Sequence, residues 1–396
     1  MAPAKRVQHT TPTMTTSTIN PRRGALGSLF LFSAAALAAA SPAAAQKSDV
    51  VYRLNPRTGK AQAIQGTVTK DGLDKIEISQ RDGDSKDFSS LEVIQVIWGD
   101  VPTEFQDGQK FGRRMDWENA VKSYQAAADS SNARGPVKAA ARMASVRAMI
   151  SWGVSEPARF ADAVAEADRF LVEFTENRHL PTVRALKART AWLSGDAEAA
   201  RDGYRALYEA GKGGTDGYPA LMVAEAALSA GHAAIAAKDT GTARELYTAA
   251  ASAFGDIAAG DTSDAIRAAA GAEEASLGES YSRIAREDFA GARSALERAV
   301  DKMKTPAGRA AARLALGQCL VGLGENQAAI RELGWVSGLD HSNPDRRAMA
   351  LVALAQAELG LGDKGRTAAK AALDRVVASY GETPAAATAR AILATF

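Results

Sequence analysis

The chain has 396 residues, too many for one ordinary hydrophobic core, so it calls for two domains or for a repeat architecture that grows without a centre. Its formal charge is only +2 and no basic run occurs, which excludes nucleic acid as the main partner, because phosphate binding needs Lys and Arg concentrated on one face. Aromatic residues make up 6% of the chain and alanine dominates after residue 130, the composition of many short helices packed closely.

Residues 1–45 read as a signal peptide. Arg22 and Arg23 give a positive start, Leu26 to Ala40 an apolar stretch, and Ala43, Ala44 and Ala45 a small-residue cleavage site before Gln46. Met14 offers an alternative start with a shorter basic region, and the arginine pair is followed by Gly24 and Ala25 where a twin-arginine signal wants bulky apolar residues. The apolar stretch is mostly alanine and falls short of the ~20 strongly apolar residues of a membrane span, so no stable transmembrane anchor is expected after cleavage. A periplasmic or secreted mature chain is predicted. Cleavage removes Lys5, Arg6, Arg22 and Arg23 and no acid, leaving 44 basic residues against 46 acidic ones and turning +2 into −2.

Residues 46–101 are rich in Val and Ile and broken by turn chemistry. DVVYRL ends at NPRTGK, AIQGTVT meets Lys70-Asp71-Gly72, KIEIS alternates, and Asp82-Gly83-Asp84 precedes LEVIQVIW. Four or five short strands are predicted, as a small SH3-like or Sm-like β domain.

From residue 104 the apolar period becomes helical and the sequence repeats itself. In RLALGQCLVGLGENQAAIRELGWV, Leu316-Gly317 and Leu320 lie in a first helix, Gly324 at a turn, and Ala329, Leu333 and Val336 in a second. Gly317 and Ala329 would let two backbones approach while Leu320 and Leu333 fill the gaps beside them. The register recurs at Gly108, Phe111, Ala120 and Tyr124, at Ala188, Gly195, Ala200 and Tyr204, and at Gly231, Ala243 and Tyr247, with second-helix anchors at Ala120, Ala163, Ala200, Ala243, Ala292, Ala329 and Thr367. Four residues before these anchors stand Asp116, Asp196, Asp239, Asp288, Glu325 and Asp363, with Arg159 the exception. An acid there suits the unpaired amides and dipole at a helix start. Thr305-Pro306, Asn343-Pro344 and Thr383-Pro384 open further helices, the last a C-terminal capping helix within residues 381–396.

Residues 104–380 thus resemble the tetratricopeptide repeat (TPR), in about seven copies, although every interval between anchors exceeds its usual period of about 34. An irregular solenoid of the HEAT kind has a comparable period. The resemblance implies a mainly α fold, a right-handed TPR-like superhelix of helix pairs, acting as a scaffold that holds a protein or peptide partner of the cell envelope in its concave groove. The alternative is a structural envelope-assembly protein acting partly through the β domain.

Catalytic chemistry is hard to place on this chain, and no enzyme, cofactor or metal site is predicted. His179, His232 and His341 fall in different repeats, none at the i, i+4 spacing of a shared helix face. GKGGTDG at residues 211–217 follows a second helix and reads as a linker, Glu273-Glu274 as a solvated helical face, and the lone Cys319 as a small core residue. The register assigns a groove line to the residue after each small first-helix position: Gln109, Arg189, His232, Tyr281, Gln318 and Gln356. One turn later Trp192, Ile235, Ile284, Val321 and Leu359 form an apolar line, and Trp192 with Arg189 marks the third repeat as a candidate hot spot. If exposed, Arg189 and His232 could be truncated with little effect on stability.

Overall fold

The computed structural model describes residues 48–80, 83–260 and 264–396. The signal-peptide segment, the predicted start at Gln46 and Asp82 of the third turn lie outside the described residues. Among those residues no helix is long and apolar enough to cross a membrane.

The β-rich segment forms β1 (Asp49–Leu54), β2 (Ala61–Asp71), β3 (Lys75–Ser79), β4 (Ser85–Ser89) and β5 (Val93–Ile97), with a 3-10 turn at Ser90–Glu92. All pairings are antiparallel and the five-stranded order is β4-β3-β2-β1-β5, so β4 and β5 are the two edges. Alternation puts Val51, Ile64, Val68, Ile76, Ile78 and Phe88 into one core. The polar segment SKDFS, not distinguished by its sequence, supplies β4 through ladder bonds to β3 and through Phe88.

Helices follow as pairs: α1 (Thr103–Arg113) with α2 (Trp117–Asp129), α3 (Gly135–Ser155) with α4 (Arg159–Glu173), α5 (Leu180–Ser194) with α6 (Ala197–Gly211), and α7 (Ala220–Ala236) with α8 (Thr240–Ala258). The fifth first helix is broken into α9 (Ala265–Ala275) and α10 (Gly278–Ala285), and packs on α11 (Phe289–Lys302). Then come α12 (Pro306–Gly322) with α13 (Asn326–Leu339), α14 (Pro344–Leu359) with α15 (Asp363–Ser379), and α16 (Pro384–Leu393).

The periodic small residues explain the pairing. Ala120, Ala163, Ala200, Ala243, Ala292 and Ala329 are all fully buried. A side chain at Gly108 or Gly231 would strike the rings of Tyr124 and Tyr247, and one at Gly317 would strike Leu333. Asp116, Asp196, Asp239 and Asp288 cap the second helices by accepting from the amides of Asn119, Ala199, Thr242 and Gly291. Glu325 stands at the cap position without making that bond and takes Arg293 instead, at 2.6 Å.

The seventh repeat departs from the predicted register. Thr367 is exposed, and the buried positions are Gly365, Ala369 and Ala372, so the anchor is Gly365. Asp363 lies inside the helix, because Gly362, with φ of 74°, is the cap. At Gly365 any side chain would overlap the backbone carbonyl of Glu358, which makes glycine the residue of closest approach there. Beyond it, α16 covers the last pair through Ala385, Ala386 and Ala389. Cys319 is a buried core residue whose thiol meets the Phe289 carbonyl at 3.0 Å.

Two buried aspartates fasten the sheet to the helices. Asp49 accepts from the Val68 and Gly99 amides at 2.7 and 2.8 Å and receives both terminal nitrogens of Arg134. Asp71 holds Arg178 Nε at 2.5 Å, and the hairpin tip after it bridges Gly72 to Asn177 and packs Leu73 with Tyr218. The 211–217 linker is therefore a seat for that tip: Gly217, with φ of 77°, lies where a side chain would overlap Leu73.

Candidate functional site on the first helices

The small positions of the first helices are buried, as the register requires: Ala188, Ser280 and Ala355 are at most 7% exposed, and Gly108, Gly231 and Gly317 are buried too. The residues one step later fall into two groups. Gln109 on α1 and Gln356 on α14 are exposed, Gln318 on α12 is half-buried, and none of the three makes a side-chain hydrogen bond among the described residues. Arg189, His232 and Tyr281, from the middle of the chain, are engaged by their own protein.

Arg189 on α5 sends both terminal nitrogens to Asp345 in the first turn of α14, Nη2 at 2.9 Å from Oδ1, and Nη2 also donates to the Glu382 carbonyl at 3.1 Å. Its side chain is only 14% exposed. The third repeat is thus tied to the seventh and to the segment before α16, which itself touches α5. Tyr204, beneath this pair, has its phenol pushed up to about 12 by burial.

His232 on α7 is the centre of a second knot. Its Nδ1 is 2.8 Å from the Tyr247 hydroxyl and its Nε2 3.3 Å from Glu274 Oε1. With a proton on Nε2 the ring donates to the carboxylate, and its Nδ1 faces the phenol hydroxyl. The rings of His232, Tyr247 and Tyr281 lie mutually about 5.4–5.5 Å apart. Glu274 Oε2 receives Arg346 Nη2 at 2.6 Å, and Arg346 Nη1 reaches Asp340 at 3.0 Å. Burial alone would raise the Glu274 carboxyl, but the Arg346 guanidinium and the His232 imidazole outweigh it and hold the group at about 2. Burial, reinforced by Glu274, drives the Tyr281 phenol far above its ordinary range.

These contacts revise the expectation that Arg189 and His232 are free side chains whose loss leaves stability unchanged. Both join helices distant in sequence, so truncating either strands a partner. The apolar line is likewise packed: Trp192 and Ile235 lie against the α5–α8 core, Ile284 and Val321 against the α10–α14 core, and Leu359 against the last pair. Nor is Glu273-Glu274 a solvated face. Glu273 takes the Lys304 amide at 2.7 Å and the Thr305 hydroxyl at 2.5 Å, and Glu274 is 15% exposed in its knot. The sequence signal for these acids was their helical phase, which turns them toward the neighbouring first helix. Among the described residues no group of His, Cys, Asp and Glu could hold a metal ion.

The fold and these faces define a class, a helical-repeat protein with an N-terminal antiparallel sheet. No family model matches the chain, and no curated protein matches it. Among solved structures it is similar to a tetratricopeptide repeat protein from Parabacteroides merdae, at 16% identity and a TM-score of 0.46, over 70% of this chain and 91% of that one. A likeness that distant carries no argument about function.

Proposed function

We propose that this protein is an exported scaffold whose helical repeats, following a right-handed TPR-like course, hold a segment of a cell-envelope protein along their first helices. The observation that carries the reading is the pairing of unengaged Gln318 and Gln356 with half-buried Val321 and Leu359 on the adjacent helices α12 and α14. Unspent amide groups beside apolar surface suit an extended backbone, which needs both hydrogen bonds and apolar contact. Gln109 offers the same chemistry at the other end of the chain. Arg189, Trp192, His232 and Tyr281 support this surface from within. Affinity capture from envelope extracts tests the reading: a stoichiometric soluble partner lost on the double change Gln318→Ala, Gln356→Ala supports it, and capture unaffected by that change sinks it.

Export rests on residues 1–45, and N-terminal sequencing of the mature chain should begin at Gln46. A second reading, envelope assembly through the sheet, draws support from edge strand β5. Ile94 and Ile97 there, with Leu91 before it and Leu54 at the end of β1, are 39–53% exposed. The strand order suits an SH3-like or Sm-like domain open between β4 and β5. Cofractionation with wall or outer membrane, abolished by Ile94→Lys, would favour this reading over the first.

A further inference from the structure

The third and seventh repeats are remote in the chain and meet in space. Arg189 on α5 grips the Asp345 carboxylate with both terminal nitrogens, and its Nη2 also donates to the Glu382 carbonyl at 3.1 Å. Glu382 belongs to a strap, residues 380–383, that joins α15 to α16 and lies against early helices. Beside it α16 touches α5, and a side chain added at Gly381 would come within 3.6 Å of Val154 near the end of α3. Repeats of a stack ordinarily contact their neighbours alone, so a contact that skips the fourth, fifth and sixth calls for its own explanation.

Its chemistry is unlike that of the neighbouring pairs, which share apolar cores. The core of the last repeat, with Leu351, Val352, Leu373 and Val376, is continuous with the α10–α14 core through Leu354, yet has no residue in common with the α5–α8 core. The crossing is therefore polar and centres on one arginine. Its partners can be released without leaving a charge in the interior. Asp345 is 32% exposed and stands in the first turn of α14, where the helix dipole favours a carboxylate with or without Arg189. Glu382 is itself an exposed residue. Arg346, the next residue along, is bound differently: it is 6% exposed and locked to Glu274 and to the buried Asp340, so it ties the seventh repeat to the fifth and sixth.

The first helices are covered while the contact is made. No residue is exposed within 180–193 of α5, 221–235 of α7 or 307–321 of α12, and within 345–359 α14 exposes only Met349 and Gln356. We propose that the Arg189 contact is a releasable clasp: closed, it holds the seventh repeat and the 380–383 strap against the third, and released, it lets the stack widen and uncovers the facing sides of α5 and α14 for an extended protein segment. Small rotations at the intervening pairs add up to that opening while each pair keeps its own core. The use of the uncovered faces rests on the scaffold reading; the clasp itself does not, and its test needs no partner.

Spin labels on Ala206→Cys in α6 and Ala371→Cys in α15, both exposed positions, report the separation of the two repeats by pulsed electron resonance on the purified full chain, with Cys319→Ser removing the native thiol. The parent should give one narrow distance. Arg189→Met keeps the side-chain stem and loses the donors, and should add a population longer by about 5 Å or more, the width of an added strand, with helix circular dichroism unchanged. Lys122→Gln, which removes an exposed ion pair on α2, should leave the parent's distance as it is. Should Arg189→Met fail to fold, Asp345→Ala, on the more exposed side of the clasp, carries the comparison and should show the same longer population. The proposal is overturned if a folded variant keeps the parent's single distance, or if neither variant folds. A lengthened distance in a chain that captures no envelope protein would keep the clasp and sink the scaffold reading instead.

Discussion

Acid should loosen the His232 knot in a way that one substitution can isolate. Glu274 is held at about 2 in the folded chain against an ordinary 4.5, so the unfolded chain binds more protons between those values. Its contribution is therefore complete above pH 4.5 and fades as pH falls toward 2. The difference in pKa corresponds to about 3 kcal/mol, of which about 2 kcal/mol is gone by pH 3. Glu274→Gln removes that titration while leaving Arg346 with Asp340 as its remaining carboxylate. The variant should be about 3 kcal/mol less stable than the parent at pH 7, and the gap should narrow to about 1 kcal/mol at pH 3. Urea unfolding of both proteins from pH 7 to pH 3, followed by helix circular dichroism, measures the gap directly. A gap that stays constant across that range would refute the assignment of the acid-sensitive step to Glu274.

Two helical glycines should respond in opposite directions. Gly365→Ala places a methyl group on the Glu358 carbonyl and should destabilise by about 1–3 kcal/mol, whereas Gly334→Ala in α13 meets open space and should stabilise by about 0.5–1 kcal/mol; thermal melts that rank the two the other way would displace the seventh-repeat register. Arg142 on α3 is 5% exposed and joins Asp129 at 2.7 Å, Glu173 at 3.2 Å and the buried Glu166 at 3.4 Å. Arg142→Leu leaves the buried Glu166 with only Arg169 at 3.6 Å and the Gln125 amide at 3.2 Å, and should cost about 3 kcal/mol in a denaturant titration, a loss that Glu166→Gln in the same chain should partly restore.

Much of the repeat architecture was legible because its determinants are local. A small residue, a large one four positions on and an aspartate at the cap fall within one helix, and Asp116, Asp196, Asp239 and Asp288 show all of that in the primary sequence. The register failed at Thr367, where Asp363, four residues earlier, imitated a cap although it lies inside the helix and Gly365 is the anchor. The candidate surface was less legible. Arg189 meeting Asp345, and His232 meeting Glu274, are pairings between remote helices that no period encodes. A clue was present in the charged residues themselves: Arg142, Glu166 and Arg346 each occupy the buried phase of an otherwise apolar helix, where a charge needs a partner. Asp71 was hidden differently, since Lys70-Asp71-Gly72 reads as an exposed turn until the hairpin is seen to dock on Asn177 and Gly217.

Site-directed photo-crosslinking in the intact envelope tests the scaffold reading most directly. A photoreactive amino acid placed at Gln318 or Gln356 should yield one discrete adduct with another protein, and the same group at exposed Lys122 on α2 or Lys370 on α15 should yield none. Adducts from the second-helix positions alone, or no adduct from either glutamine, would contradict a partner held along the first helices.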